Sequence, residues 1–554
     1  MKRIFTIIIT ILLVVGCTTK PSRVEMESKQ LIDSLTAVIE PLLKERALAY
    51  WNATGTGEDK YYERYAEVDM ELTKIYSNNS DFKKLEAFKN ANIKDPVLAR
   101  TVEVLYLGFL ANQTDPELLN EITKISTEVE QKFNTFRGKI DGKNVTGNDI
   151  KKILSESTDV SLRKKAWEAS KQVATVVEDD FLKLVKLRNE SARSMGFDNY
   201  YQMSLIISEQ DPAEIQRIFD ELDKDTKSPF MEAKREIDQV LAKRFGIEVD
   251  DLRPWHYSDP FFQEAPVITE INLDRYYQDK DVVELARRFY NSIDINVDQI
   301  LANSDLYERE GKYPHAYCTD IDRKGDVRVM MNVHPTESWM STSLHELGHA
   351  IYDLKHDLEL PFFLREPAHA FTTEAVAIFF ERLSKNPNWM QEALGLTDEQ
   401  KQEIIDITAK TLRLEKLVFA RWSLVMLNFE KELYANPDQD LNKLWWDIVE
   451  KYQMIKRPEN RNMPDYAAKI HVCLYPVYYH NYQLGGLLVA QFLNAIAVNQ
   501  GLDNVSEIRF MNNPEIGKYF IENVFKAGKR YRWDEMIIRA TGEKLTSKYF
   551  VEQL

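Results

Sequence analysis

The sequence predicts a mainly α-helical protein, and three observations carry that prediction. Apolar residues recur at helical spacing through most of the chain, strand-like alternation is confined to one short region, and no Gly/Ser/Pro linker, internal repeat or low-complexity tract divides the 554 residues. Leu31, Leu35, Val38 and Leu42 fall on one helix face, as do Val282, Ala286 and Phe289. Asp281-x-x-Glu284 and Thr397-x-x-Gln400 have the form of capping boxes at helix starts. The best strand signal is DVRVMMNV at 326–333, with a weaker partner at 315–321 across the Asp322-Arg323-Lys324-Gly325 turn. Segments 141–149, 248–272 and 311–340 otherwise read as irregular. Length alone allows three or four domains at about 150 residues each, but the unbroken pattern favours one helical unit over residues 31–554.

Composition excludes some classes of partner. A hydrophobic content of 44% supplies a large core, and the net charge of −16 comes with no long basic run. Nucleic acid and anionic membrane surfaces need clustered Lys and Arg, so neither is expected as a partner. The start of the chain is more specific. Met1-Lys2-Arg3 is basic, and Ile4 to Gly16 is almost wholly apolar but too short to span a bilayer, which is the pattern of a signal peptide. Val14-Val15-Gly16-Cys17 resembles the bacterial lipoprotein cleavage box. Residues 1–16 would be removed, Cys17 lipidated, and 17–30 left as a polar tether. The expected location is the cell envelope, with membrane contact only through that anchor; Thr18, which is not aspartate, favours the outer membrane. Cys318 and Cys473 form no disulfide framework. Two small buried apolar residues are expected, a single bridge being the alternative.

The chemistry concentrates in STSLHELGHAIYDLKHD, residues 341–357. On a helix, His345 and His349 share a face and can reach one metal ion, with Glu346 beside them to accept a proton from water. Leu344, Leu347 and Ile351 supply the face that packs into the core. A zinc site of this type needs a third protein ligand. The positions 19 and 20 residues past His349 are Ala368 and His369, which excludes the shorter spacing. Glu374, in FTTEAVAIFFERL, is the natural third ligand on a second helix whose start the threonines could cap, and Glu381, two turns on, is the alternative.

HELGH with a glutamate 25 residues later resembles the angiotensin-converting enzyme (peptidyl-dipeptidase A) family of gluzincin peptidases and their relatives thimet oligopeptidase and oligoendopeptidase F. REGKYPHAYC at 309–318 and KIHVCLYPVYYHNYQLGG at 469–486 are similar to further motifs of these families, and weaker similarity runs through 163–171 and 184–203. The resemblance implies a two-lobed helical ellipsoid with a deep central channel and one Zn2+ per chain, held by His345, His349 and Glu374, with the small hairpin beside the zinc helix. It implies Glu346 as general base and later acid, and His471 and Tyr482 as oxyanion donors. It also implies His315 and Ala316 as an edge strand that binds substrate backbone, and Lys469 and Tyr479 as holders of the substrate's C-terminal carboxylate.

The sequence departs from the family at three places. Asn481 replaces an arginine that binds an activating chloride, so no chloride dependence is expected. Ile378 replaces an acid one turn after the glutamate ligand, and Tyr257 aligns with a carboxylate-binding glutamine. The expectation is a monomeric zinc peptidase acting on short peptides by releasing C-terminal dipeptides. Endopeptidase action on oligopeptides is the alternative within the same reaction class, and a catalytically silent peptide- or zinc-binding lipoprotein the alternative outside it.

Overall fold

The structure, a computed structural model, describes residues 21–266 and 272–554. The expected signal peptide and Cys17 lie outside the described residues. Helix α1, Arg23–Thr56, starts at a full capping box: the Ser22 hydroxyl accepts the Glu25 amide, and the Glu25 carboxylate accepts the Ser22 amide at 2.7 Å. Residues 23–30, expected in the tether, are therefore the first two turns of a helix. Its buried stripe runs through Ser28, Ile32, Leu35 and Ile39, whereas Val38 is half exposed. The face differs from the expected one because Ile32 and Ile39, each one residue along from an expected position, meet the core.

With α2 (Asp59–Tyr76) and α3 (Pro96–Leu110), α1 builds a small core from Ile32, Leu35, Ile39, Val68, Leu72, Val102, Leu105 and Phe109, closed by Phe362 and Phe363 from the body of the protein. A second, far larger core holds the rest of the chain. Between the two lies a chamber of about 1120 Å3 whose walls come from both sides, Tyr76 and Leu105 facing Arg188, Asp353, Glu366 and Tyr478. The mainly α architecture is as expected.

Two antiparallel hairpins are present among the described residues. The first pairs β1 (Gly138–Ile140) with β2 (Lys143–Val145), partly inside the segment read as irregular. Its Asp141-Gly142 turn has φ of 50° and 80°, the left-handed pair of a tight hairpin, and strands of three residues are too short to display alternation. The second is the expected one. β3 (Tyr317–Asp320) pairs with β4 (Val327–Met330), Tyr317 opposite Met330 and Asp320 opposite Val327. The end of α1 holds it in place: Thr54 Oγ1 lies 2.5 Å from Tyr317 Oη, and the Thr54 carbonyl accepts the Tyr313 amide at 2.8 Å. Cys318 and Cys473 are free thiols, the second fully buried.

Three helices then cross closely. α4 (Glu337–Leu354) carries HELGH, α5 (Ala370–Glu381) carries Glu374, and α7 (His480–Asn499) carries Tyr482 just after Tyr478 and Tyr479; between α5 and α7 in sequence runs the long α6 (Asp398–Ala435). Helix α6 begins at the expected capping box of Thr397 and Gln400. Asp281 also caps its helix, but Glu284 turns its carboxylate to Arg287, so that box is not reciprocal. His369, not a threonine, caps α5: its Nδ1 accepts the Phe371 amide, while Thr372 Oγ1 accepts the His369 amide. The helix starts two residues ahead of the threonines because a ring nitrogen can serve where a hydroxyl usually does.

α5 is pressed between the other two helices at glycines. A Cβ on Gly348, between the two histidines, would stand 2.9 Å from the Ala377 Cα, and a Cβ on Gly485 of α7 would stand 3.5 Å from the Phe371 carbonyl oxygen and 3.6 Å from the Ala375 amide. The first distance is a clash with backbone and the second is ordinary contact. Gly348→Ala is therefore expected to cost about 1–3 kcal/mol through forced helix separation, more than the ~0.5–1 kcal/mol that alanine gains in a helix. Gly485→Ala should be neutral or slightly stabilising. Chemical denaturation of the two variants checks this, and equal midpoints would refute the close crossing.

Candidate active site

The crossing of α4 and α5 creates a three-sided nest of metal donors. His345 and His349, one turn apart, bring their Nε2 atoms to 3.2 Å from each other. Glu374 places Oε1 3.9 Å from His345 Nε2 and Oε2 3.7 Å from His349 Nε2. Donors at ~2.0–2.2 Å around a tetrahedral ion are separated by about 3.3–3.5 Å, so the two Nε2 atoms and the Glu374 carboxylate stand close to the spacing of such a shell. Among the described residues this is the one His/Cys/Asp/Glu group so arranged.

The far nitrogens explain why the near ones point inward. His345 Nδ1 bonds Glu381 Oε2 at 2.5 Å, and His349 Nδ1 bonds Thr373 Oγ1 at 2.7 Å. When each ring is neutral and donates Nδ1–H to its oxygen, Nε2 presents its lone pair to the nest, which is the ligand tautomer. The donor set therefore fits a metal such as zinc. Glu381, the alternative third ligand, holds His345 in orientation instead.

Burial and charge tune the group. Burial opposes charge on His345, but the bonded Glu381 and the nearby Glu374 and Glu346 outweigh it and raise its pKa to about 9. His349 is pushed down to about 3 by burial and by His345. Burial raises Glu374. Without a metal the nest thus keeps a proton on His345 at neutral pH, and a metal must expel it.

Glu346 is 8% exposed and carries a pKa of about 7, raised by burial and by Glu374 and Glu381, against the pull of His345. It lines a cavity of about 420 Å3 together with His349, Asp353, Thr373 and the edge residues Ala316, Tyr317 and Cys318. β3 is paired to β4 on one side only among the described residues, so its other edge borders this cavity. Of the two expected edge residues, Ala316 lines the cavity, while His315 is exposed ahead of the strand, its ring 5.2 Å from that of Tyr313.

The late motif supplies a continuous aromatic wall. Tyr482, half-buried one turn before Gly485, packs at 5.2 Å on Tyr479 and 5.5 Å on Tyr478, and burial together with the Glu374 carboxylate raises its pKa. Tyr478 is 41% exposed and belongs to the chamber wall, not the core. The His471 ring stands 5.1 Å from Tyr479; burial and Lys469 lower its pKa to about 4, and its Nδ1 has no partner. It is a neutral imidazole at pH 7. His480 and Asn481 are both buried and tied to Gln210, at 2.7 Å each, so a neutral amide network occupies the position of the missing arginine.

Lys469 is 8% exposed, with its ammonium 2.6 Å from Gln263 Oε1 and 5.2–5.5 Å from the centres of the Phe261, Trp422 and Tyr479 rings. Burial lowers its pKa to about 8. Among the described residues no acid forms an ion pair with it. Tyr479 Oη lies 3.5 Å from the same Gln263 oxygen. Gln263 was not legible in the sequence. The position counted from Trp255, Tyr257, is buried elsewhere, with its hydroxyl donating to Asp238 and accepting from Lys234, each at 2.8 Å. The loop turns back because the buried Asp259 carboxylate accepts the amides of Phe261, Gln263 and Glu264, which carries Gln263 to the lysine. An acid two residues ahead of Phe261 was the only signal of that turn.

Comparison with known proteins agrees with this geometry. The profile of peptidase family M3 matches residues 153–554, which include every donor and wall residue just described from α4 onward. That of angiotensin-converting enzyme matches residues 22–231. Angiotensin-converting enzyme of Theromyzon tessulatum is 23% identical over 514 residues, covering 84% of this chain and 81% of its own. That of Haematobia irritans exigua is 23% identical over 446 residues, covering 73% and 72%. That of Oryctolagus cuniculus is 23% identical over 486 residues, with 77% of this chain aligned to 36% of a longer one. The chain belongs to peptidase family M3 and is a metallopeptidase.

Glu381→Gln keeps the size of the His345 partner but removes its charge. Metal affinity should fall about 10–100-fold with the fold intact, as read by chelator competition alongside circular dichroism. An unchanged affinity would remove Glu381 from the site.

Proposed function

We propose that this member of peptidase family M3 is a zinc peptidase that releases dipeptides from the free C-terminus of short peptides. The observation that carries the reading is Lys469: a buried cation beside Gln263 and Tyr479, walled by aromatic rings, with no acid paired to it among the described residues. Burying an unpaired charge is costly, and a substrate carboxylate is the anion that would complete the pocket. Tyr479 is in ring contact with Tyr482, whose neighbour is Glu374, so the anchored end of the peptide and the reacting bond would be only a few atoms of wall apart.

His345, His349 and Glu374 would hold the metal, which when bound polarises the scissile carbonyl and lowers the pKa of water. Glu346 takes a proton from the attacking water and hands it to the leaving amine. Tyr482 Oη–H and the His471 ring N–H donate to the oxyanion as it forms, and both are uncharged in the ground state, so neither binds the starting amide strongly. The free edge of β3 accepts the substrate backbone as an added strand. One observation favours the endopeptidase alternative: the family profile that contains the site is that of M3, while the angiotensin-converting enzyme profile ends at residue 231. In the cell the enzyme would be anchored to the envelope through Cys17. Cys17→Ser should then move it from the membrane to the soluble fraction, and unchanged fractionation would refute the anchor.

Digestion of a peptide mixture, read by mass spectrometry, tests the reading. Dipeptide products are expected, with peptides bearing a free C-terminus cut about 10–150-fold better than their amides, the worth of a charge-assisted contact of ~1.5–3 kcal/mol. Lys469→Ala should erase most of that preference. Glu346→Gln should retain metal and lose turnover by several orders of magnitude. Internal cleavage at equal rates for free and amidated peptides would replace dipeptide release by the endopeptidase alternative.

A further inference from the structure

The same cavity that holds Glu346 and His349 carries a carboxyl for which the reaction above has no use. Asp353 lies one turn beyond His349 on α4 and lines both the 420 Å3 cavity and the larger chamber, which share Asp353, Pro367 and Thr373. Its carboxylate meets Cys318 Sγ at 4.0 Å and, among the described residues, pairs with no cation. The cations of the chamber are engaged elsewhere, Arg365 through its Nε with the Leu360 carbonyl at 2.8 Å. Arg323 and Lys529 both pair with Glu366, and Arg188 donates to Tyr434 Oη and the Cys473 carbonyl. Asp320 faces the same chamber and spends its carboxylate on the backbone amides of Asp322 and Arg323. Asp353 is thus an acid with no paired cation among the described residues, on the wall of the cavity that Glu346 and His349 also line.

The side of the peptide that meets it follows from the lining. Neither cavity is lined by Lys469, Gln263 or Tyr479, where the C-terminal end would bind. Asp353 therefore faces the residues on the N-terminal side of the scissile bond. A peptide added to the free edge of β3 points alternate side chains to opposite faces, so one of the two residues before the scissile bond reaches the cavity.

We propose that Asp353 gives this peptidase a preference for a cationic group, a lysine or arginine side chain, at one of the two residues preceding the bond it cuts. This rests on the peptidase reading above. Burial, with Asp320 and Glu366 nearby, pushes the Asp353 pKa well up. The ligand-free carboxyl favours its proton, and an arriving cation displaces it, which moderates the gain. A free α-ammonium of a very short peptide has the same chemistry and could occupy the place of the side chain.

The test uses the full-length metal-loaded enzyme and acetylated peptides with one common free C-terminus, carrying Ala, Lys, Arg or Glu at either of those two positions. Basic peptides should show kcat/KM about tenfold above alanine at one position, with glutamate below it. Asp353→Asn should bring the basic-to-alanine ratio towards one, and Asp353→Glu should keep it above one; the alanine peptide and the metal content serve as references for folding. Unacetylated short alanine peptides separate the α-ammonium from the side chain. A wild-type ratio near one, or a ratio that survives in Asp353→Asn, overturns the proposal. If the alanine peptide is not cut by wild-type enzyme, or is cut equally by Glu346→Gln, it is the peptidase reading that fails instead.

Discussion

The contact on which the site depends is the crossing of α4 and α5 at Gly348 and Ala377. Two histidines on one helix turn supply only two donors, and the third must arrive from another helix at a distance set by backbone, not by side-chain reach. With no Cβ at position 348, the Ala377 backbone approaches to within 2.9 Å of where that atom would stand, and Glu374 is thereby brought level with His345 and His349. The same approach puts Thr373 on His349 and Glu381 on His345. One helix of twelve residues thus provides the third donor and both orienting oxygens. On its other flank α7 lies in ordinary contact at Gly485, with Tyr482 beside the carboxylate.

Charge is distributed around this crossing in two distinct ways. In the nest, burial and the charges of closely placed carboxylates and imidazoles together shift the proton affinities, and Glu346 is raised to about 7. At Lys469 the opposite holds. The cation is surrounded by rings and an amide, with the acids of its loop, Asp259 and Glu264, acting only from a distance. The first arrangement suits chemistry and the second suits recognition, and the tyrosines of 478–482 connect them.

Much of this was legible in the sequence where local rules decide the outcome. The 3.6-residue period fixes His345 and His349 on one face, the β3–β4 hairpin follows from its turn and alternation, and the Thr397 box starts α6 as its residues require. The reading fell short where a distant contact chooses among equivalent local options. Val38 and Ile39 are equally apolar, and only the packing of α2 and α3 decides which of them is buried. Ile378 and Glu381 both lie on the inner side of α5, and only the position of His345 shows that the acid three residues later can orient it. Gln263 sits in a loop without periodicity, shaped by one buried aspartate, so counting from Trp255 led to Tyr257, a residue committed to Lys234 and Asp238.

The central claim is that His345, His349 and Glu374 hold a single catalytic zinc ion. It is tested most directly by measuring metal content and peptidase activity on the same purified sample during stepwise removal with a chelator. The account predicts about one zinc per chain, activity that falls in proportion to the zinc removed, and recovery when zinc is returned. Full activity in protein that contains no zinc would contradict it.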